Sequence, residues 1–232
     1  MCCLFGFVDY AGSLSVKQRN HLIRELSIAA EVRGTDATGI AYNTSRGLQI
    51  YKRPLAAHRL HLRIPAEARA VMGHTRMTTQ GSAKKNYNNH PFFGHAKGKS
   101  FALAHNGTIW NDLELRRTKH LPRTKVQTDS FIAVQLIEQQ KSLDFSSLRY
   151  TAEAVEGSFS FTVLSERDDL YLIKGDNPLN IVHFPKVGVY IYASTAEILN
   201  KALARCGNWL GRGEKVDIAM GDIVKIDSNG RI

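Results

Sequence analysis

The chain has 232 residues, 43% hydrophobic and 22% charged, which supplies enough apolar side chain for a packed core and excludes disordered and fibrous classes. Its apolar runs break well short of the about 18 residues that a membrane span needs, and MCCLFGFVDY lacks the positive start of a secretory signal, so a cytoplasmic protein is expected, with Cys2, Cys3 and Cys206 as thiols. The net charge of +10 is uneven: residues 1–125 hold 20 basic and 7 acidic side chains, residues 126–232 hold 11 and 14, an asymmetry that favours anionic ligands or an acidic partner surface.

In chain order, the opening CLFGFVD reads as a buried strand. Ser15 is placed to cap a helix running to about Val32, with Leu22, Ile23, Leu26, Ala29 and Ala30 along one stripe. The runs TGIAYN, LQIYK, AVMGHT and FALAHN read as short strands, the last followed by a tight turn at Asn106–Gly107. ELRRTKHLPRTK (114–125) reads as a solvated, strongly basic loop. Helices are predicted over Asp129–Gln140 and Ser146–Val155, then strands at FSFTVLS, LYLIK, IVHF and VGVYIYAS, a short helix over Thr195–Ala204 and a last strand at DIVKI. No repeat, low-complexity tract or linker divides the chain, so residues 1–232 are expected to form one domain. Strands in runs, broken by a few helical blocks, predict an α+β layered fold with mainly antiparallel sheets. There is no G-x-G-x-x-G and no P-loop, and Cys2 and Cys3 have no metal-ligand spacing; neither cofactor nor metal is expected.

Cys2 carries the first chemical signal. Once Met1 is removed, one residue holds both a thiol and a free α-amine, with ordinary pKa values of about 8.5 and about 8. A terminal amine beside its own nucleophile can take the thiol proton directly or through one water. On position alone, Cys2 and Cys3 also read as small apolar residues starting a buried strand.

Further segments follow in order: RGTDATGIA (33–41), GHTRMTTQGS (73–82), NNHPF (88–92), AHNGTI (104–109) and TDS (128–130). With the M-C-x-x-F-G start, they resemble the class II glutamine amidotransferase domain, one of the N-terminal nucleophile (Ntn) hydrolases, as found in glucosamine-6-phosphate synthase and the amidophosphoribosyltransferase of purine synthesis. The resemblance covers essentially the whole chain and implies a four-layer αββα sandwich with two mainly antiparallel sheets. It also implies a reaction: an N-terminal thiol attacks the side-chain amide of L-glutamine, ammonia leaves, and water hydrolyses the γ-glutamyl thioester.

Carried over residue by residue, the resemblance makes Cys2 the nucleophile and base, and Asn106 and Gly107 the donors to the tetrahedral oxyanion. Arg76 becomes the binder of the substrate α-carboxylate, for which a guanidinium fork is suited. Asp129 becomes the holder of the α-ammonium group. Thr79 and His74 are assigned contacts supporting the substrate site, His90 the ordering of its loop, and His105 the place of a buried, hydrogen-bonded histidine. Without the resemblance, Arg76 would read as a residue of a solvated loop and Asp129 as a helix N-terminal acid after Thr128. Four positions depart from the family pattern: Cys3 stands where glycine is usual, Met77 for an aromatic, Gln80 for a histidine and Phe131 for an acid. Cys3 is tolerable if it points into the sheet.

The family's well-known members carry a second domain that uses the ammonia, and none is expected within these residues. The first reading is therefore a glutaminase delivering ammonia to a separate synthetase or acceptor protein. The second is a self-contained hydrolase of a γ-glutamyl compound. The third is a catalytically idle binding module using its basic half. Nucleic acid is not expected as a partner, since the basic residues are dispersed without interleaved aromatics. Segment 114–125 is the best candidate for docking an acidic partner or facing a phosphorylated acceptor.

Overall fold

The computed structural model describes residues 2–232; the removal of Met1 concerns a residue outside them. Among the described residues, twelve strands and five α-helices form in chain order. Strand β1 (Cys3–Asp9) leads to helix α1 (Val16–Ala29), followed by strands β2 (Ala37–Thr44), β3 (Gly47–Arg53), β4 (Ala70–Arg76), β5 (Phe92–Ala96) and β6 (Lys99–Ile109). Helices α2 (Asp112–Thr118), α3 (Phe131–Gln140) and α4 (Phe145–Ala154) come next. Strands β7 (Gly157–Ser165), β8 (Leu170–Lys174), β9 (Asn180–Phe184) and β10 (Val189–Ala193), helix α5 (Ala196–Cys206), and strands β11 (Glu214–Val216) and β12 (Ile223–Ile226) complete the order.

The strands assemble into a seven-stranded sheet, β11-β9-β10-β1-β4-β2-β3, and a five-stranded sheet, β12-β8-β7-β6-β5. Every paired neighbour is antiparallel. Strand alternation divides the apolar residues into three cores. Cys3, Phe5 and Phe7 of β1 pack against Leu22, Ile23 and Leu26 of α1 and Ile198 and Leu199 of α5. Leu4 and Val8 turn the other way and meet Ala102 and Ala104 of β6 between the sheets. Phe101 and Leu103 of β6 face outward onto Ile132, Leu136 and Ile137 of α3. The order of layers is helix, sheet, sheet, helix, the αββα arrangement implied by the resemblance.

Local chemistry sets the element ends that matter for the site. Ser15 caps α1 with a reciprocal pair: its hydroxyl accepts from Gln18 N (3.2 Å), and Gln18 Oε1 accepts from Ser15 N (2.9 Å). The α-helix stops at Ala29, and a 3₁₀ turn over Ala30–Arg33 carries the chain to Arg33. Gly34 then passes so close to β4 that a Cβ there would lie 2.3 Å from the Arg76 carbonyl carbon.

Five elements depart from the sequence reading. Strand β6 runs through the expected turn: Asn106 pairs with Ser160 and Gly107 with Phe159 of β7. The Asn-Gly signal is overridden because the β7 partner satisfies the backbone on that side. The loop expected at 114–125 begins as α2, which buries Leu115. The short strands β5 and β11 were not expected; β5 alternates buried and exposed residues beside β6. The helix expected from Asp129 begins at Phe131, and Asp129 turns its carboxylate elsewhere. Among the described residues, no helix is long and apolar enough to cross a membrane.

Candidate active site

Cys2 precedes β1 by one residue, so the alternation that sends Cys3 to the helix layer sends Cys2 toward the space between the sheets. Arg76 closes β4 on the same parity as Ala70 and Met72, which belong to the inter-sheet core. Asn106 has the parity of Ala102 and Ala104 in β6. Antiparallel pairing of β1 with β4 and stacking of β6 across them bring the three to one end of the sandwich. Cys3 is fully buried in the core between the larger sheet and helices α1 and α5.

Arg33 ties two of these residues together. Its Nε donates to the Cys2 carbonyl at 2.7 Å, and its Nη2 donates to Asn106 Oδ1 at 3.4 Å. Because a guanidinium only donates, the amide oxygen of Asn106 faces Arg33 and its NH2 group faces the opposite way. That Nδ2 is buried and has no hydrogen-bond partner among the described residues. The Asn106 carbonyl is held separately by Asn177 Nδ2 at 3.1 Å. Gly107 adopts φ 145°, and a Cβ would sit 1.9 Å from Ser158 O, so only glycine fits.

A second group gathers around Arg76, which is 3% exposed, contrary to the solvated-loop alternative. Its Nη1 donates to Asn89 Oδ1 (2.7 Å), and its Nη2 donates to the carbonyls of Gln80 (2.6 Å) and Gly81 (2.8 Å). Segment 77–81 is thereby drawn over the guanidinium. Gln80 Oε1 also accepts from Asp129 N at 2.9 Å, and Asp36 Oδ2 accepts from Thr78 N at 2.7 Å. The Asp129 carboxylate accepts from Ile109 N of β6 at 2.7 Å, so it braces the strand end rather than capping α3. Phe131, in place of the family's acid, packs edge-on against Phe92 at 5.4 Å.

Electrostatics follow from this burial. Desolvation pushes the Cys2 thiol above its usual range; a backbone hydrogen bond at Met77 and the Arg76 charge oppose the rise, and the Asp129 charge adds to it. Cys2 Sγ lies 3.6 Å from the Met77 carbonyl. Lys52, held by the Asn89 and Pro91 carbonyls, is lowered to about 8 by burial and then by the Arg76 charge.

His74, His90 and His105 are all buried behind the site, and the His105 ring packs against Phe161 at 4.9 Å. His74 Nε2 donates to the His105 carbonyl at 3.0 Å, joining the two sheets. The His90 ring lies 4.2 Å from that of His74 and 4.4 Å from Phe92, and neither of its nitrogens has a partner among the described residues. His105 Nδ1 is hydrogen-bonded to Ser130 Oγ at 2.8 Å. Burial lowers the basicity of all three, His74 to about 3. Thr79 is exposed on segment 77–81 and makes no hydrogen bond among the described residues. The sequence reading gave no role to Arg33, Asn89 or Asn177. Arg33 opens RGTDATGIA, so its segment was visible, but its span from Cys2 to Asn106 exists only in the folded chain.

Residues 74–201 match a family profile described as a glutamine amidotransferase domain. The glutamine–fructose-6-phosphate aminotransferase (isomerizing) of Halalkalibacterium halodurans is 30% identical over 199 residues, covering 82% of this chain and 32% of that protein. Its Bacillus subtilis counterpart is 32% identical over 183 residues, 75% of this chain and 29% of that one. Among solved structures, the glutamine phosphoribosylpyrophosphate amidotransferase of B. subtilis superposes with a TM-score of 0.73 at 17% identity, over 99% of this chain and 48% of the other. The structure described as the allosteric regulatory enzyme of purine biosynthesis gives the same TM-score, 0.73, at 18% identity. The chain spans about a third of the length of the aminotransferases it matches.

Proposed function

The chain belongs to the glutamine amidotransferase domain family, and on that premise we propose that it hydrolyses the side-chain amide of glutamine to glutamate and ammonia. The observation that carries this reading is the Arg33 bridge, which fixes the Cys2 carbonyl and turns the unpartnered Asn106 NH2 group away from itself.

Burial raises the Cys2 thiol pKa, so moving its proton calls for a base. In Met1-free protein its own α-amine takes that proton, and the sulfur attacks the amide carbon of glutamine. The carbonyl π electrons move onto oxygen, which Asn106 Nδ2 and the Gly107 N–H receive. The oxyanion then collapses, the C–N bond breaks, and the proton held by the amine leaves on ammonia. Water, deprotonated by the same amine, attacks the γ-glutamyl thioester and releases glutamate and the free thiol. Arg76 and Asp129 are assigned the α-carboxylate and α-ammonium groups, which selects the free amino acid over a peptide-bound glutamine. Thr79 and His74 support that site, and His90 and His105 order its back wall.

Residues 1–232 serve in this reading as one cytoplasmic glutaminase domain, and the ammonia goes to a separate acceptor enzyme. The aminotransferase relatives are named for a phosphorylated sugar, fructose 6-phosphate, as the acceptor. An electrophilic glutamine analogue tests the assignment. The adduct is expected on Cys2, in protein lacking Met1, with loss of glutamate release. An adduct on Cys3, or turnover by protein that retains Met1, overturns it.

A further inference from the structure

Segment 114–125, left without a role by the glutaminase chemistry, lines both sides of a groove of about 600 Å³ between α2 and residues 121–127. That volume is in the range of small-molecule sites. Arg116 and Arg117 of α2 and Arg123 of the following loop all line it. Asp112, a carboxylate in the lining, is already met by Arg116 at 4.0 Å. Among the described residues, Arg117 and Arg123 have no acidic partner and both are exposed. Leu113, 73% exposed, adds an apolar rim.

Two guanidinium groups facing a concave space without counter-charges are matched to an oxyanion with several acceptor edges, since each planar fork can take two oxygens at once. A flat acidic protein surface would be met by charges spread over a face rather than converging on a hollow. We propose that this groove is a binding site for a phosphate-bearing small molecule. Its far wall includes Gln80, whose side chain holds Asp129 N and whose carbonyl holds Arg76. An occupant therefore touches the segment that lies over the Arg76 guanidinium. The inference goes beyond the function proposed above and is read without glutamine turnover.

Calorimetric titration at matched ionic strength, with inorganic pyrophosphate and with fructose 6-phosphate, tests it. Saturable one-to-one binding of at least one is expected, and the pair shows whether phosphate alone suffices or an attached sugar is needed. The double variant Arg117→Ala/Arg123→Ala is expected to bind at least tenfold more weakly, with an unchanged thermal midpoint. Arg46→Ala, an exposed arginine on the β2–β3 hairpin, is expected to bind as the parent does. No saturable heat with either phosphate, equal weakening by Arg46→Ala, or binding of an oligoglutamate peptide alone would overturn the proposal.

Discussion

At the scale of single residues, the site rests on what each side chain can and cannot donate. Asn106 has one oxygen and one NH2 group, and Arg33 takes the oxygen, so the amide cannot flip without placing its NH2 group against a guanidinium. Asn106→Ala is expected to lower kcat for glutamine hydrolysis about 10²–10³-fold, the range seen for loss of one oxyanion donor, with KM changed far less. Cys2→Ala is expected to abolish glutamate release while the thermal midpoint stays near that of the parent; retained turnover would assign the chemistry to another residue. Arg76→Lys removes the guanidinium plane that holds Asn89, Gln80 and Gly81 together. A lysine offers a point charge instead, so KM for glutamine should rise strongly, as steady-state kinetics would register.

At the scale of elements, β6 shows how a strand can carry a local conflict. Gly107 has φ 145° inside a paired strand, which places its backbone hard against Ser158. Gly107→Ala must displace β7 or distort β6, at about 1–3 kcal/mol for a strained backbone of this kind. Denaturant unfolding should show that loss, accompanied by reduced turnover. The Asn-Gly pair was legible as a motif but misread as a turn, because turn propensity is local and the β7 partners, Ser160 and Phe159, lie far along the sequence. The α2 helix was missed for a related reason. Its apolar content is little more than Leu113 and Leu115 among charged residues, and its stability comes from burying Leu115 against the α3 layer. By contrast, α1 carried a capping box and a full apolar stripe, so its start was evident from Ser15 onward.

At the scale of the whole molecule, the two sheets meet through an apolar core and through a buried hydrogen bond that His74 donates to the His105 carbonyl. The folded chain holds His74 neutral down to about pH 3, whereas an unfolded histidine gains its proton near pH 6.5. Between those values the unfolded state binds more protons, so stability is lost as pH falls, at up to about 1.4 kcal/mol per pH unit for this histidine. His90 and His105 are lowered as well and act in the same direction. Thermal midpoints measured from pH 7 to pH 4 should fall steadily, and His90→Phe, which keeps the ring contacts with His74 and Phe92, should flatten part of that dependence.

The uneven charge gains a location at this scale. Arg33 and Arg76 lie inside the site, while Arg117 and Arg123 face the neighbouring groove.

Periodicity, capping and motif order are properties of neighbouring residues, and the sequence by itself determined what depends on them: most strands and helices, an α+β class, and the resemblance from which the αββα layering and the candidate residues followed. The buried state of Arg76, the turn of Asp129 toward β6, the extended Asn106–Gly107 pair and the Arg33 bridge were decided only by the tertiary structure. Each depends on a partner brought close by sheet pairing or layer packing, where burial removes water and leaves polar groups to find one another. Such a partner has no signature in the residues adjoining the one it meets.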